Sequence, residues 1–212
     1  FNMGRCYLLG IGTEQHTANA MTWLGKAAHL DHELACHWMG SLYYEGQYIE
    51  SEPTMASNFY ERGATLGYSY SQNKLGAMYR DGIGRDNLEQ AFSLFKLSAT
   101  SGNEWGQFLL GQMYLNGRYI KEDLNLAKKL FTLSADQGLA DAQVELGAMY
   151  GKGLGMPADR VKSVELYKLA AEQGVAIANF NLGVVYINGD GIEPDIDLGV
   201  SYMSQAAVLG ME

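Results

Sequence analysis

Basic side chains are scarce in this chain. Its 212 residues hold 15 Lys and Arg against 24 Asp and Glu, a net charge of −9. Nucleic-acid binding needs cations to neutralise phosphate, so a general acidic surface argues against it. The same charge disfavours anionic membrane surfaces and favours basic partners. No apolar run approaches the roughly 18 residues of a spanning helix, so direct membrane insertion is not expected. Thiols are limited to Cys6 and Cys36, and no linker, low-complexity stretch or charge block breaks the chain.

What the chain has instead is a repeat. A Gly followed by Tyr three residues later and Gly six residues later occurs as Gly4/Tyr7/Gly10, Gly40/Tyr43/Gly46, Gly76/Tyr79/Gly82, Gly111/Tyr114/Gly117, Gly147/Tyr150/Gly153 and Gly183/Tyr186/Gly189. The leading glycines step by 36, 36, 35, 36 and 36 residues. Self-similarity at that period means stacked supersecondary units, which form one quasi-one-dimensional array instead of separate domains. The units fall at about 1–31, 32–67, 68–102, 103–138, 139–174 and 175–210. Cys6 and Cys36 occupy different repeat positions. If neighbouring first helices run parallel, they are offset by about 9 Å along the axis, beyond the ~7 Å that a disulfide spans. Two buried free thiols are expected.

The fifth unit, Ala140 to Gly174, shows how each is built. Ala142, Leu146, Met149 and Tyr150 recur at three- and four-residue spacing, which predicts an amphipathic helix. Gly153 stands where a left-handed C-cap is wanted. Pro157 suits the opening of a second helix and Asp159 its N-cap or first turn. Val161, Val164, Leu166, Leu169, Ala170 and Ala171 follow, and Gly174 closes the unit. The second helix repeats as well. Leu24, Tyr60, Phe95, Phe131, Tyr167 and Met203 are bulky, while Ala27, Gly63, Ser98, Ser134, Ala170 and Ala206 are small, each followed by Ala. Small residues let backbones approach and bulky ones fill the divergence, as stacked antiparallel helix pairs need. The motif tyrosines are expected mainly in the core.

Ala142/Leu146/Gly147/Tyr150/Gly153/Gly155 with Ala170/Ala171/Gln173/Gly174 resemble the Sel-1-like repeat nearly letter for letter, and Ala178/Leu182/Gly183/Tyr186/Gly189/Gly191 do so again. The resemblance covers essentially the whole chain. Departures are Met39 for Leu, Tyr48 and Tyr119 for the second Gly, and Asp31 for a closing Gly. The resemblance implies an all-α solenoid, a right-handed superhelix of about six helix-turn-helix units similar to tetratricopeptide arrays, whose first helices line a concave groove. It implies an adaptor or scaffold that binds a partner protein or peptide, in a family frequent in bacteria, with no catalytic residues to carry over. The opening Phe1-Asn2-Met3-Gly4 aligns with Phe180-Asn181-Leu182-Gly183, inside a first helix. The chain therefore reads as a piece of a longer one, which leaves localisation open.

Several local motifs compete with this reading. Three Gly-rich strings, at residues 81–85, 151–155 and 188–191, lack both the spacing and the preceding strand of a nucleotide loop. The acidic residues between Asn188 and Asp197 miss the ligand spacing of a calcium loop. His29 with His32 or Glu33 has metal-compatible spacing but lacks a third ligand. Composition leaves Ser-His-Asp chemistry open, but no nucleophile elbow is present, so a hydrolase is only the lesser alternative and neither enzymatic activity nor a cofactor is expected. By analogy with tetratricopeptide units, groove-facing positions hold His37, Ser41, Tyr44 and Glu45 in the second unit. They hold Tyr70, Asn73, Arg80 and Asp81 in the third, and Trp105, Phe108, Gln112 and Asn116 in the fourth. His37, Tyr44, Glu45, Tyr70, Asn73, Arg80, Trp105 and Gln112 are the candidate protein-binding residues, with Phe108 weighed equally as inter-repeat packing. Aromatics and Arg among polar groups are the composition of a recognition surface. The alternative is a self-associating structural array.

Overall fold

The computed structural model describes residues 1–83 and 87–210. Among the described residues there are twelve α-helices and no strand. They are α1 (Asn2–Leu9), α2 (Thr17–His29), α3 (Glu33–Glu45), α4 (Pro53–Thr65), α5 (Ser69–Arg80), α6 (Leu88–Thr100), α7 (Glu104–Asn116), α8 (Leu124–Asp136), α9 (Ala140–Lys152), α10 (Arg160–Glu172), α11 (Ala176–Asn188) and α12 (Ile196–Val208). Odd- and even-numbered helices pair as successive hairpins, the α/α solenoid class. The chain forms two compact units, Phe1–Gly106 and Gln107–Glu212.

Each hairpin turn is fixed by main-chain atoms. The carbonyl of the motif Tyr accepts from the N–H of the residue that caps the second helix. These bonds are His16 to Tyr7, Glu52 to Tyr43, Asn87 to Tyr79, Asp123 to Tyr114, Asp159 to Tyr150 and Asp195 to Tyr186, at 2.8–3.2 Å. Five of the six capping residues also accept, through a side chain, the N–H three residues on. The sixth, Glu52, is followed by Pro53 at the first helical position, where the missing N–H costs nothing. From Tyr to cap is nine residues everywhere except Tyr79 to Asn87, where it is eight. That shorter turn is the source of the single 35-residue step.

The turns that join one hairpin to the next use Gly67, Gly102, Gly138 and Gly174, at φ of 92°, 85°, 91° and 81°. The residue after each donates its N–H to the carbonyl of Gly63, Ser98, Ser134 or Ala170, which satisfies the end of the preceding helix. The first such turn has Asp31 at φ 58° instead. Its carboxylate is held by Arg62, whose Nη2 lies 2.7 Å away and also donates to the carbonyl of His29.

The core explains the leading glycine. A Cβ at Gly40 would lie 2.6 Å from the Tyr60 ring; at Gly76, 2.6 Å from Phe95; at Gly111, 2.8 Å from Phe131; at Gly147, 2.8 Å from Tyr167. The bulky side chain of each second helix rests directly on first-helix backbone, and Tyr60, Phe95 and Phe131 are fully buried there. The motif tyrosines, by contrast, are only half-buried. Each packs against the edge of a core cluster, so the expected core role holds there, with the side chain only partly enclosed.

Other expectations shift in detail. Pro157 lies in the loop ahead of α10, whose N-cap is Asp159, and Val161 and Leu169 face solvent. Both thiols are free, Cys36 buried but Cys6 only half-buried. The strings at 151–155 and 188–191 sit at helix ends with Gly153 and Gly189 as left-handed caps. Gly84 and Arg85 of the third string lie outside the described residues. Asp190 is paired with Arg160 at 3.2 Å, and Asp195 caps α12.

Candidate functional site

The two units differ where consecutive first helices meet. In each repeat the residue three before the motif Gly approaches the residue eight before the next one. In the second unit these pairs are apolar: Phe108 with Leu139 in one core cluster, and Val144 with Val175 in another. Phe108, buried and 5.8 Å from the Phe131 ring centroid, is therefore packing. In the first unit the same positions hold His37 with Tyr68, and Asn73 with Asn103. The two rings meet edge-on at 5.1 Å, and the Asn73 amide donates to Asn103 at 2.7 Å. Asn73 is buried in that bond and presents little surface.

His37 is the centre of an aromatic cluster. Its ring lies 5.6 Å from Tyr60 and 6.5 Å from Tyr70, and its Nδ1 shares a hydrogen bond with the Ser71 hydroxyl at 3.2 Å. Burial, helped by the nearby Lys74 ammonium, lowers its pKa from 6.5 to about 4. Tyr60, enclosed on the same side and bonded to Ser41 at 3.1 Å, is pushed up to about 12 by burial. Between pH 6.5 and 4 the unfolded chain binds a proton at His37 that the folded chain refuses, so stability falls as pH falls through that window. After allowance for water reaching the ring, the loss should be about 2 kcal/mol by pH 4. His37→Gln should remove that component from a series of urea midpoints measured between pH 7 and 4. An unchanged pH slope in the variant would count against it.

The remaining candidates spread along the first helices. Tyr44 stands edge-on to Tyr60 at 6.5 Å, and Glu45 is exposed. The Tyr70 hydroxyl donates to Glu104 at 2.7 Å, which raises the Tyr70 pKa. Trp105, next along α7, is 37% exposed, and Tyr70 is 38% exposed. Arg80 pairs with Asp81 at 2.8 Å. Gln112, in the second unit, hydrogen-bonds Glu145, whose carboxyl is raised chiefly by burial.

A cavity of about 440 Å³ opens beside His37 on the first-helix side of the first unit. Leu8 and Leu9 of α1, Trp38, Ser41 and Glu45 of α3, and Tyr48 and Tyr68 from the flanking turns line it. Sequence reasoning missed Leu8, Leu9, Trp38, Tyr48 and Tyr68 as site residues. Tyr48 left a trace, since it stands where the pattern calls for glycine. Gly12, Gly155 and Gly191 at that position, and Tyr119 too, have positive φ, and Tyr48 does not. A second cavity, about 350 Å³, lies among α4, α5 and α6, with Leu75, Leu94 and Leu97 in its wall.

Among the described residues no group of three or more His, Cys, Asp or Glu could hold a metal ion. His32 instead stacks on Phe1 at 4.5 Å, and His29 is exposed. No helix among them is long and apolar enough to cross a membrane.

The model of the Sel1 repeat matches residues 1–32, 34–68, 69–103, 106–139, 140–175 and 176–211. A sel1-like repeat-containing protein of Acanthamoeba polyphaga mimivirus, L21, is 32% identical over 123 residues, which are 58% of this chain and 22% of the viral protein. Among solved structures, c5321, a protective antigen of uropathogenic Escherichia coli with an SLR fold, superposes with a TM-score of 0.82 at 32% identity. The match covers 99% of this chain and 45% of that one. A Sel1 repeat protein from Oxalobacter formigenes gives a TM-score of 0.84 at 26% identity, over 91% of this chain and 79% of that one. The chain thus spans less than half of c5321 and a smaller part of the viral relative.

Proposed function

The chain belongs to the Sel1 repeat family, and from that premise we propose that it is an adaptor whose first-helix face, in the unit Phe1–Gly106, holds a partner protein or peptide. Repeats of this kind serve in general as protein-interaction scaffolds. The observation that carries the narrower reading is the change of chemistry between the two units. Positions that are apolar packing in the second unit are His37, Tyr68, Asn73 and Asn103 in the first. At these positions apolar pairs close the second unit, whereas the polar groups of Asn73, Asn103 and His37 in the first carry a desolvation cost that their hydrogen bonds must offset. Exposed Tyr70 and Trp105 continue the face, and partly exposed rings beside polar groups are what binding surfaces concentrate.

A photo-crosslinking phenylalanine placed at Tyr70, and separately at Leu97 on the exposed second helix α6, tests the reading in lysate. An adduct with another protein is expected from position 70 and none from 97; the reverse would overturn the assignment. With the captured partner in hand, Trp105→Ala should weaken binding by about 2 kcal/mol, roughly thirtyfold. Its unfolding midpoint should fall by less than a fully buried aromatic would cost, since the side chain is 37% exposed. A variant that binds normally, or that loses stability as a core truncation does, removes Trp105 from the site.

A further inference from the structure

The cavity beside His37 has a wall chemistry that selects its occupant. Three aromatic residues besides His37, namely Trp38, Tyr48 and Tyr68, line it together with the aliphatic Leu8, Leu9 and Leu42, and Glu45 is the one carboxylate in the lining. No Lys or Arg lines it. A second carboxylate, Glu33, lies near enough to Tyr68 to help raise its pKa, after the effect of burial. His37 is neutral at pH 7 and so adds aromatic surface without repelling a cation. The Lys74 ammonium, exposed on α5, acts on His37 from outside the lining. A cavity rimmed by π-faces and an acid, in a chain of net charge −9, is complementary to a planar cation on an aliphatic stem.

The chain itself displays this pairing. The Arg5 guanidinium stands 5.8 Å from the Trp38 ring centroid and 5.6 Å from Phe1. Arg5 is not among the cavity-lining residues, so the indole engages one guanidinium there while it also forms part of the cavity wall. Tyr48 adds a second, independent signal. It replaces the glycine that closes other loops, keeps a negative φ, and becomes part of this wall.

We propose that the cavity receives an arginine side chain of the bound partner segment, its guanidinium against the Glu45 carboxylate and the Trp38 and Tyr48 rings, its methylenes over Leu8 and Leu9. This rests on the adaptor reading of the first-helix face and gives that reading a partner chemistry: an acidic, aromatic socket for one basic anchor residue.

The test uses the 212-residue chain and three capped tripeptides, Ala-Arg-Ala, Ala-Lys-Ala and Ala-citrulline-Ala, titrated while the Trp38 indole N–H signal is followed by NMR. Citrulline keeps the shape of arginine and loses its charge. A saturable shift is expected with the arginine peptide at millimolar concentration, the scale of a single side chain. The citrulline peptide should bind at least tenfold more weakly and the lysine peptide about threefold more weakly. Glu45→Gln, an exposed and isosteric change, should weaken the arginine peptide about tenfold and leave citrulline unaffected. Tyr48→Ala should weaken it to a similar degree. Equal binding of arginine and citrulline, indifference to Glu45→Gln, tighter binding of lysine, or no Trp38 shift at about ten times the expected Kd would each overturn the proposal. Crosslinking from position 70 is read separately. If it succeeds while the peptides fail, the socket falls and the adaptor reading stands; if both fail, both fall.

Discussion

Phe95→Ala should lower unfolding stability by about 3–5 kcal/mol, the range for losing a fully buried aromatic ring. Phe95 is fully buried on α6, and its ring rests on the backbone of α5 at Gly76. Gly76, the residue under the ring, has no side chain to move into the space vacated, so a cavity should remain and add to the lost transfer energy. In an array where each repeat touches only its neighbours, the damage should stay local. Amide exchange protection should fall across α5 and α6 and persist in α9 to α12. Leu97→Ala, two residues away but 53% exposed, serves as the control and should cost well under 1 kcal/mol. A denaturation midpoint for Phe95→Ala close to that of the control would remove the ring-on-glycine contact from the account of stability.

The second prediction concerns how closely hairpins approach. Where a second helix crosses the next first helix, Gly63 meets Ser71 and Gly106 meets Ser98, Ala27 and Ala35 share one core cluster and Ala170 and Ala178 another, and Ser134 and Ala142 hold the same repeat positions. At the third crossing a Cβ on residue 106 would stand 2.6 Å from the Ala99 backbone nitrogen and 2.7 Å from the Ser98 carbonyl carbon, besides meeting the Ser98 hydroxyl. Backbone cannot rotate away, so Gly106→Ala should cost about 3 kcal/mol, the upper end for overpacking. At the second crossing the obstacle to a Cβ on Gly63 is the Ser71 side chain. Ser71→Ala itself loses the hydrogen bond to His37, but in its background Gly63→Ala should add little further loss, whereas in the Ser98→Ala background Gly106→Ala should keep most of its cost. Two double-mutant cycles measured by urea denaturation distinguish the crossings. Equal coupling at both would mean that helix spacing is set elsewhere.

Much of this architecture was legible because the repeat superimposes six readings of one pattern. Bulky Phe95 and small Ser98 recur at fixed distance from the motif Gly, so even single departures stand out. The glycines at 67, 102, 138 and 174 announce the left-handed turns they make. What the sequence obscured was which atom of a residue matters. Tyr79 and its equivalents read as core and do pack at its edge, but the bond that their carbonyls accept at the turn was not legible, because every residue carries a carbonyl. Pro157 suits a helix start in general, but the Asp159 cap and its bond to Tyr150 place that start later. Phe108 and Asn73 occupy the same repeat position as His37, and periodicity alone could not say which of them was buried. The partner across the interface decides that: Leu139 opposite Phe108, Asn103 opposite Asn73, Tyr68 opposite His37. Tyr68 and Trp38 went unnoticed for the same reason, since neither position was read as groove-facing.

The hairpin loops are rooted by a main-chain bond from the cap to the Tyr carbonyl, and that root is indifferent to the identity of the residues at the tip. In most repeats the root-to-root distance is also the same. The tips are not so indifferent. A Cβ on Gly155 would lie 2.8 Å from the Leu124 Cβ, and one on Gly191 would meet Arg160, both at positive φ. A tip residue such as Tyr48 can therefore move to another repeat only together with a change in the helix start on which that tip rests, so a new specificity in a chain of this design arrives as a matched pair of insert and seat.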